Sequence, residues 1–161
     1  VVFSGGEPTL QAALPDAMAE VRRLGYRVGL HTGGAYPERL RRLLPMLDWV
    51  GLDIKAMSDD YPAVTGVAGS GTPAWESLRL LQDAGTRFEV RTTAMPGWTP
   101  KDLASIAAEL RKAGVGQFVL QACDASHAID PALAAAPRLP LTELARSVGA
   151  HDLASFALRG T

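Results

Sequence analysis

The chain has 161 residues, which is enough for one domain with a buried core. Apolar residues make up 47% of it and charged residues 20%, as in ordinary globular proteins, and its apolar runs are too short for a membrane span. The formal net charge of −1 argues against nucleic acid and membrane surfaces as partners, and the single cysteine excludes an internal disulfide. These properties predict a reducing, cytoplasmic location.

Short apolar strands alternate with amphipathic helices along the chain. In chain order we predict a strand at 1–4, a helix at 9–24, a strand at 27–32, a helix at 37–47, a strand at 49–55, an irregular insertion at 56–71 with one short helix, a helix at 73–84, a strand at 87–93, a helix at 99–113, a strand at 117–123, a helix at 141–148 and a strand at 152–158. This alternation predicts an α/β fold with parallel strands and outer helices. A full barrel of this kind takes about 250 residues, so the choice is an open doubly wound sheet or a partial barrel.

The faces of the predicted strands favour the partial barrel. Leu52 and Ile54 share one face of the strand at 49–55, whereas Asp53 and Lys55 share the other. Parallel strands that are covered by helices on both faces read as almost wholly apolar, unlike these. We therefore predict a TIM-like partial barrel with a polar concave face. Residues 1–124 would form its core, and residues 125–161 an Ala/Pro-rich linker with a C-terminal helix and a last strand of the same domain.

Polar side chains collect at the predicted carboxyl ends of the strands, where such folds place their ligands. These residues are Glu7, His31, Thr32, Asp53, Lys55, Arg91, Thr93, Gln121 and Cys123. Acidic and basic groups together would suit a zwitterionic ligand. The alternative is that Asp53 with Lys55, and Glu89 with Arg91, form internal ion pairs.

The stretch Gly5-Gly6-Glu7-Pro8 has two interpretations. It could be a plain turn that places Glu7 near the amino terminus of a helix, where a negative charge is favoured. Adjacent glycines also let the backbone approach a ligand closely, and a strand-end carboxylate can hold a ligand ammonium group. The G-x-G-x-x-G spacing is absent, and Gly69-Ser70-Gly71-Thr72 is not a Walker A loop.

Several stretches resemble, in order, the motifs of radical S-adenosylmethionine (radical SAM) enzymes. FSGGEPTLQ (3–11) is similar to the Gly-Gly-Glu motif, and GLHTGG (29–34) to the Glu/Asp-Thr-Asn-Gly motif. VGLDIKAMSDDYPAVTG (50–66) resembles the Asp-Ile-Lys segment of glycyl-radical activases, and FEVRTTAMPGWTPKDL (88–103) and FVLQACD (118–124) resemble their later strands. The group resembled most is the activating proteins of anaerobic ribonucleoside-triphosphate reductase, followed by pyruvate formate-lyase activases.

The resemblance implies a radical SAM type of partial barrel and a defined chemistry. A four-iron four-sulfur cluster would cleave S-adenosylmethionine, and the 5′-deoxyadenosyl radical would take a hydrogen atom from a glycine of a partner glycyl-radical enzyme. A flavodoxin-like protein would be the reductant. By the same resemblance Gly5, Gly6 and Glu7 would hold the methionine amino group, Thr32, Asp53 and Lys55 would line the methionine and ribose side, and Arg91 and Gln121 would be later contacts. No side chain needs to act as a general acid or base.

The chain also departs from the family pattern. It has no Cys-x-x-x-Cys-x-x-Cys, and Cys123 cannot replace three thiolates, so we predict that it is a buried thiol. His31 stands where the family carries an acidic residue, and Gly33 where it carries Asn. We predict a hydrogen-bonded interior histidine for His31 and solvent-facing side chains for His127 and His151.

Three hypotheses remain open from the sequence. The first is an activase of which the chain is a piece, with the family's first strand and cluster loop expected before Val1. The second is a remnant without a cluster that binds S-adenosylmethionine or a partner protein without catalysis. The third is an unrelated barrel enzyme such as a phosphate-binding isomerase, for which Gly114-Val115-Gly116 is too weak a phosphate loop.

Overall fold

The computed structural model describes residues 1–124, 135–148 and 155–160. Its strands are β1 (Val2–Phe3), β2 (Gly29–Thr32), β3 (Trp49–Asp53), β4 (Phe88–Ala94), β5 (Gln117–Ala122) and β6 (Ser155–Arg159). Its helices are α1 (Leu14–Arg23), α2 (Pro37–Leu43), α3 (Tyr61–Thr65), α4 (Gly71–Ala84), α5 (Pro100–Lys112) and α6 (Leu141–Ala145). Short 3-10 turns lie at Pro8–Leu10, Leu44–Met46, Ser58–Asp60 and Arg146–Val148.

The six strands belong to one sheet in the order β1-β2-β3-β4-β5-β6. β1 is parallel to β2, with Val2 opposite Gly29, and β2 is parallel to β3, with Gly29 opposite Trp49. β5 is parallel to β6, with Gln117 opposite Ser155. Parallel neighbours in sequence order are what strand–helix alternation requires, so the predicted α/β class is confirmed.

The chain divides into two compact units, Val1–Val90 and Arg91–Thr161. The core of the first unit is built from the apolar faces of its helices and strands, with Met18, Leu30, Leu40, Leu52, Ile54, Leu78 and Leu81 almost wholly buried. The core of the second unit contains Leu103, Leu110, Phe118, Leu120 and Val148. The predicted division at residue 124 stays a prediction.

Two helices differ from the prediction at their ends. The helix predicted at 9–24 begins only at Leu14, because Pro8–Leu10 forms a 3-10 turn capped by the Glu7 side chain. Pro15 then stands in the first turn of α1, where a proline is tolerated. The helix predicted at 37–47 ends at Leu43 and continues as the turn Leu44–Met46, which contains Pro45.

The C-terminal predictions are confirmed where the structure describes them. The helix predicted at 141–148 is α6 followed by the turn Arg146–Val148, and the predicted last strand is β6. The predicted start of that strand at 152–154 and both His127 and His151 lie outside the described residues. Within the described ranges no helix has the length and apolar character that a membrane span requires.

Candidate functional site

The candidate site in the first unit begins at the turn that follows β1. Gly5 and Gly6 have φ values of +95° and +50°, in the left-handed region that side chains other than glycine rarely adopt. A Cβ atom added to either glycine would meet no atom within 4 Å. The two glycines are therefore required by the backbone conformation, and the space beside the turn is open.

The carboxylate of Glu7 is fixed by four donors. Its Oε1 atom accepts from the Thr9 amide at 3.1 Å, the Thr9 hydroxyl at 2.6 Å and the Thr32 hydroxyl at 2.8 Å. Its Oε2 atom accepts from the Gly33 amide at 2.9 Å. Glu7 thus joins the turn after β1 to the end of β2, and the half-buried carboxylate has a defined orientation.

One oxygen of this carboxylate keeps acceptor capacity. An ionised carboxylate offers about four lone-pair sites, two on each oxygen. The three bonds at Oε1 saturate that atom, whereas Oε2 has a single bond among the described residues. A Cβ atom at Gly33 would lie 3.6 Å from Oε2, so the lack of a side chain there leaves this oxygen uncovered. Oε2 can therefore accept a further hydrogen bond from a ligand.

Thr32 supports Glu7 from the end of β2. The residue is only 3% exposed. Its hydroxyl donates to Glu7 and accepts from the Gly34 amide at 3.0 Å. With both functions of the hydroxyl in use, the position of the Glu7 carboxylate depends on this side chain.

Asp53 and Lys55 lie at the end of β3, the strand that pairs with β2. Asp53 is half-buried and Lys55 is exposed. The Lys55 amide donates to the hydroxyl of Tyr61 at 2.9 Å, and that hydroxyl donates to the Asp53 carbonyl at 3.4 Å. The buried Tyr61 side chain therefore fixes the backbone that carries both predicted site residues.

We expect the stability of the protein to fall between pH 10 and pH 12 because of Tyr61. Burial raises the pKa of Tyr61 to about 12, from 10 in the unfolded chain. The stability that Tyr61 contributes is fully present below about pH 10 and is lost as the pH rises through 12. A difference of two pKa units corresponds to about 2–3 kcal/mol in the free energy of unfolding. Urea unfolding at several pH values would measure it. Tyr61→Phe should flatten this pH dependence, whereas Tyr26→Phe, at a residue that is 62% exposed, should preserve it.

The second unit carries the remaining predicted site residues, Arg91 on β4 and Gln121 on β5. Arg91 is buried at 8% exposure, and Gln121 is half-buried. A cavity of about 360 Å³ lies in this unit where β4, β5 and β6 end, and Cys123 and Arg138 line it. The prediction that Cys123 is a buried thiol is wrong, because the residue is only half-buried and lines this cavity.

His31 lies on β2 next to Thr32, the residue that bonds Glu7. Its Nδ1 atom is 3.3 Å from the Ser4 hydroxyl, and its ring packs edge-on against Trp49 with centroids 5.4 Å apart. The predicted hydrogen bond of this half-buried histidine is confirmed. Among the described residues, no group of three or more His, Cys, Asp or Glu side chains could hold a metal ion.

Comparison with known families identifies the chain. The sequence profile of the radical SAM superfamily matches residues 1–110, which is more than half of the chain. The chain belongs to the radical SAM superfamily. The match covers the Gly5-Gly6-Glu7 turn, Thr32, Asp53, Lys55 and Arg91, so the predicted superfamily is confirmed, and the roles of these residues stay predictions.

Two curated relatives are similar to parts of this radical SAM chain. A 7-carboxy-7-deazaguanine synthase of Thermococcus kodakarensis is 34% identical over 88 residues, which are 54% of this chain and 34% of the relative. A protein assigned as a glycyl-radical enzyme activating enzyme of Methanocaldococcus jannaschii is 31% identical over 106 residues, which are 60% of this chain and 43% of the relative. The chain therefore spans a third to less than half of the length of these two relatives.

A solved structure shares the fold. A domain of the pyruvate-formate lyase-activating enzyme from Bacteroides vulgatus superposes with a TM-score of 0.72, covering 100% of this chain and 98% of that domain at 16% identity. Identity at this level concerns the fold and not the activity. The predicted α/β partial barrel of the radical SAM type is confirmed.

The family implies two cofactors, and the residues of this chain fit one of them. A fixed carboxylate with an uncovered oxygen beside an open glycine turn fits the ammonium group of S-adenosylmethionine. A four-iron four-sulfur cluster of this family needs three cysteine thiolates, and the sequence contains one cysteine. The residues present do not fit the cluster.

Three residues that support the site were not predicted from the sequence to do so. Thr9 and Gly33 bond the Glu7 carboxylate directly, and Arg39 of α2 donates to the carbonyl oxygens of Thr9 and Leu10 at 3.1 and 3.3 Å. A signal for Thr9 was present, because a side-chain acceptor followed by proline is typical of a capped turn. Arg39 had no such signal, since its partners are 29 and 30 residues away in the chain.

Proposed function

We propose that this chain binds S-adenosylmethionine through Glu7 and is part of a glycyl-radical-enzyme activase acting on anaerobic ribonucleoside-triphosphate reductase. The observation that carries the proposal is the Glu7 carboxylate, held by four donors with Oε2 uncovered beside two open glycines. A charge-assisted bond from the methionine ammonium to Oε2 would use the acceptor position that the fold leaves available.

The other proposed contacts follow from their places in the fold. Gly5 and Gly6 would let the methionine part approach the backbone, and Thr32 would hold Glu7 in position. Asp53 and Lys55 would line the methionine and ribose side. Arg91 and Gln121 stay proposed contacts from the second unit. A flavodoxin-like protein is the proposed reductant of the whole enzyme.

One comparison supports the activase assignment, because a curated relative is assigned as a glycyl-radical enzyme activating enzyme. The domain of the pyruvate-formate lyase-activating enzyme shares the fold alone. An activase of pyruvate formate-lyase is one alternative. A non-catalytic remnant that binds S-adenosylmethionine or a partner protein is the other alternative.

A second candidate function has a small molecule as substrate. The 34% identity to a 7-carboxy-7-deazaguanine synthase favours it. Binding of three ligands to this chain would separate the candidates. They are a peptide with the radical glycine of the anaerobic reductase, the matching peptide of pyruvate formate-lyase, and the deazapurine 7-carboxy-7-deazaguanine. Selective binding of the deazapurine would contradict the activase assignment.

Calorimetric titration with S-adenosylmethionine tests the Glu7 site. We expect weak, saturable binding by the chain, because no cluster is present to chelate the ligand, and about tenfold weaker binding by Glu7→Gln, because a charge-assisted bond is lost. A ligand analogue without the amino group should bind the two proteins equally weakly. Glu38→Gln removes the same charge at an exposed site and should bind as the unchanged chain does.

Two outcomes of the titration would contradict the Glu7 assignment. Tight binding that Glu7→Gln leaves unaltered would refute the assignment of Glu7, and so would a preference for the amino group that survives this substitution. We also expect no 5′-deoxyadenosine from this chain with iron, sulfide and reductant, because the chain has one cysteine. Its formation would contradict that expectation.

A further inference from the structure

A groove of about 200 Å³ lies in the first unit between the Pro8–Leu10 turn, the start of α1 and helix α2. Arg39 and Arg42, three residues apart on α2, line it together with the polar side chain of Gln11. Leu14 and Leu43 form part of its apolar wall. We refer to it as the Arg39–Arg42 groove.

The groove is lined by two basic side chains and by no acidic one. The acidic residue of α2, Glu38, pairs instead with Arg41 at 3.4 Å. Arg42 has no ion pair or side-chain hydrogen bond with any described residue. Two guanidinium groups three residues apart on a helix repel each other, so an anion between them would relieve that repulsion.

Arg39 is held in a fixed orientation. Its Nη1 atom donates to the carbonyl oxygens of Thr9 and Leu10, and its guanidinium carbon lies 5.2 Å from the centre of the Tyr36 ring. A guanidinium group has five N–H donors, and the two carbonyl contacts come from one of its nitrogens. The remaining donors are oriented in advance, which lowers the entropy cost of binding a ligand.

We propose that the Arg39–Arg42 groove binds an oxyanion, either a phosphate group or a carboxylate. Both present the paired oxygens that a guanidinium group binds in a fork. A volume of about 200 Å³ is below that of the pockets that hold drug-sized ligands, so it suits one such group with a short apolar part. The groove shares Thr9 and Arg39 with the turn that holds Glu7, but Glu7 itself does not line it, so the proposal does not need S-adenosylmethionine to bind at Glu7.

Titration followed by amide NMR shifts tests this site. The probes are inorganic phosphate and glutarate, each against sodium chloride at the same ionic strength, which controls for screening. We expect saturable shifts of the Gln11 side-chain amide and of the backbone amides around the groove. Arg42→Gln should weaken binding by about tenfold, because one of the two guanidinium groups is lost.

Arg41→Gln is the matched control. It removes the same charge from the next residue of the same helix, but Arg41 does not line the groove and pairs with Glu38. Its affinity for the anion should stay within about twofold of the unchanged chain. Glutamine is a good helix former, and thermal unfolding without anion should show that both variants are folded.

Each outcome decides the proposal. Saturation by phosphate alone assigns a phosphate group, and saturation by glutarate alone or by both assigns the groove to carboxylates or to oxyanions in general. Shifts that match those in sodium chloride would overturn the proposal. It would also be overturned if Arg41→Gln weakened binding as much as Arg42→Gln does, because the binding would then reflect a diffuse basic surface.

Discussion

Replacing Glu7 with alanine is expected to lower the free energy of unfolding by about 2–3 kcal/mol, because the change removes an acceptor that serves four donors. The hydroxyls of Thr9 and Thr32 belong to buried residues, and both would lose their carboxylate partner. The capped turn after β1 would also lose its cap. The same substitution should eliminate measurable binding of S-adenosylmethionine.

Urea unfolding of Glu7→Ala against Glu38→Ala measures the first effect. The Glu38 side chain is 70% exposed and has one ion pair at 3.4 Å, so its removal should cost no more than about 0.5 kcal/mol. An equal cost for the two variants would mean that the contacts of Glu7 do not stabilise the fold. The structural basis of the site would then be wrong.

Thr32→Val tests how much the position of the Glu7 carboxylate, as distinct from its charge, contributes to binding. It removes one donor to Oε1 and leaves the Glu7 side chain itself in place. We expect a loss of about 1 kcal/mol in unfolding free energy and weaker binding of S-adenosylmethionine than in the unchanged chain. If binding were unchanged, the remaining donors from Thr9 and Gly33 would be sufficient to position the carboxylate.

The strands of this fold were predictable because their pattern is local. The alternation of Leu52 and Ile54 with Asp53 and Lys55 places the apolar pair inside, and the structure buries that pair completely. The order of parallel strands then follows from short right-handed connections between neighbours. The carboxyl ends of β2 and β3 are accordingly adjacent, as the predicted polar edge requires.

The contacts within the site were not predictable in the same way. Glu7 and Thr32 are separated by 25 residues, and their 2.8 Å hydrogen bond depends on the register of β1 against β2 and on the turn after each strand. The sequence placed both residues at one edge, but it did not show that Thr32 bonds Glu7. This hydrogen bond makes Thr32 a residue that positions the Glu7 carboxylate.

The start of α1 shows how a local hydrogen bond overrides a helical pattern. Leu10 stands at helical spacing from Leu14, which favoured a helix from residue 9. In the structure Leu10 is 47% exposed, and its carbonyl oxygen accepts from Arg39 instead of from a helical amide. The Thr9 amide donates to Glu7 at the start of the 3-10 turn, and the turn ends at Gln11, whose backbone is extended and whose amide donates to the Pro8 carbonyl.

Replacing Gly71 with alanine is expected to lower the free energy of unfolding by about 3 kcal/mol or more. An added Cβ would lie 2.1 Å from the Ser58 carbonyl oxygen and 2.7 Å from its carbonyl carbon, so α4 or the backbone at Ser58 would have to move. That backbone is anchored on both sides: Trp75 of α4 donates to the Ala56 carbonyl at 3.2 Å, and the Tyr61 hydroxyl accepts from Lys55. The movement would therefore disturb the end of β3.

Two other glycines serve as controls. They separate the steric effect of an added Cβ from the backbone effect of replacing glycine. Gly116 has no atom within 4 Å of an added Cβ and an ordinary φ, so Gly116→Ala should change stability by less than about 0.5 kcal/mol. Gly69 has equally open surroundings but a φ of +71°, so Gly69→Ala should cost about 1 kcal/mol from the backbone alone. A cost for Gly71→Ala no greater than that of Gly69→Ala would show that the insertion at 56–71 moves freely. A larger cost, with a weaker affinity for S-adenosylmethionine, would show that the packing of α4 against Ser58 fixes the end of β3 that carries Asp53 and Lys55.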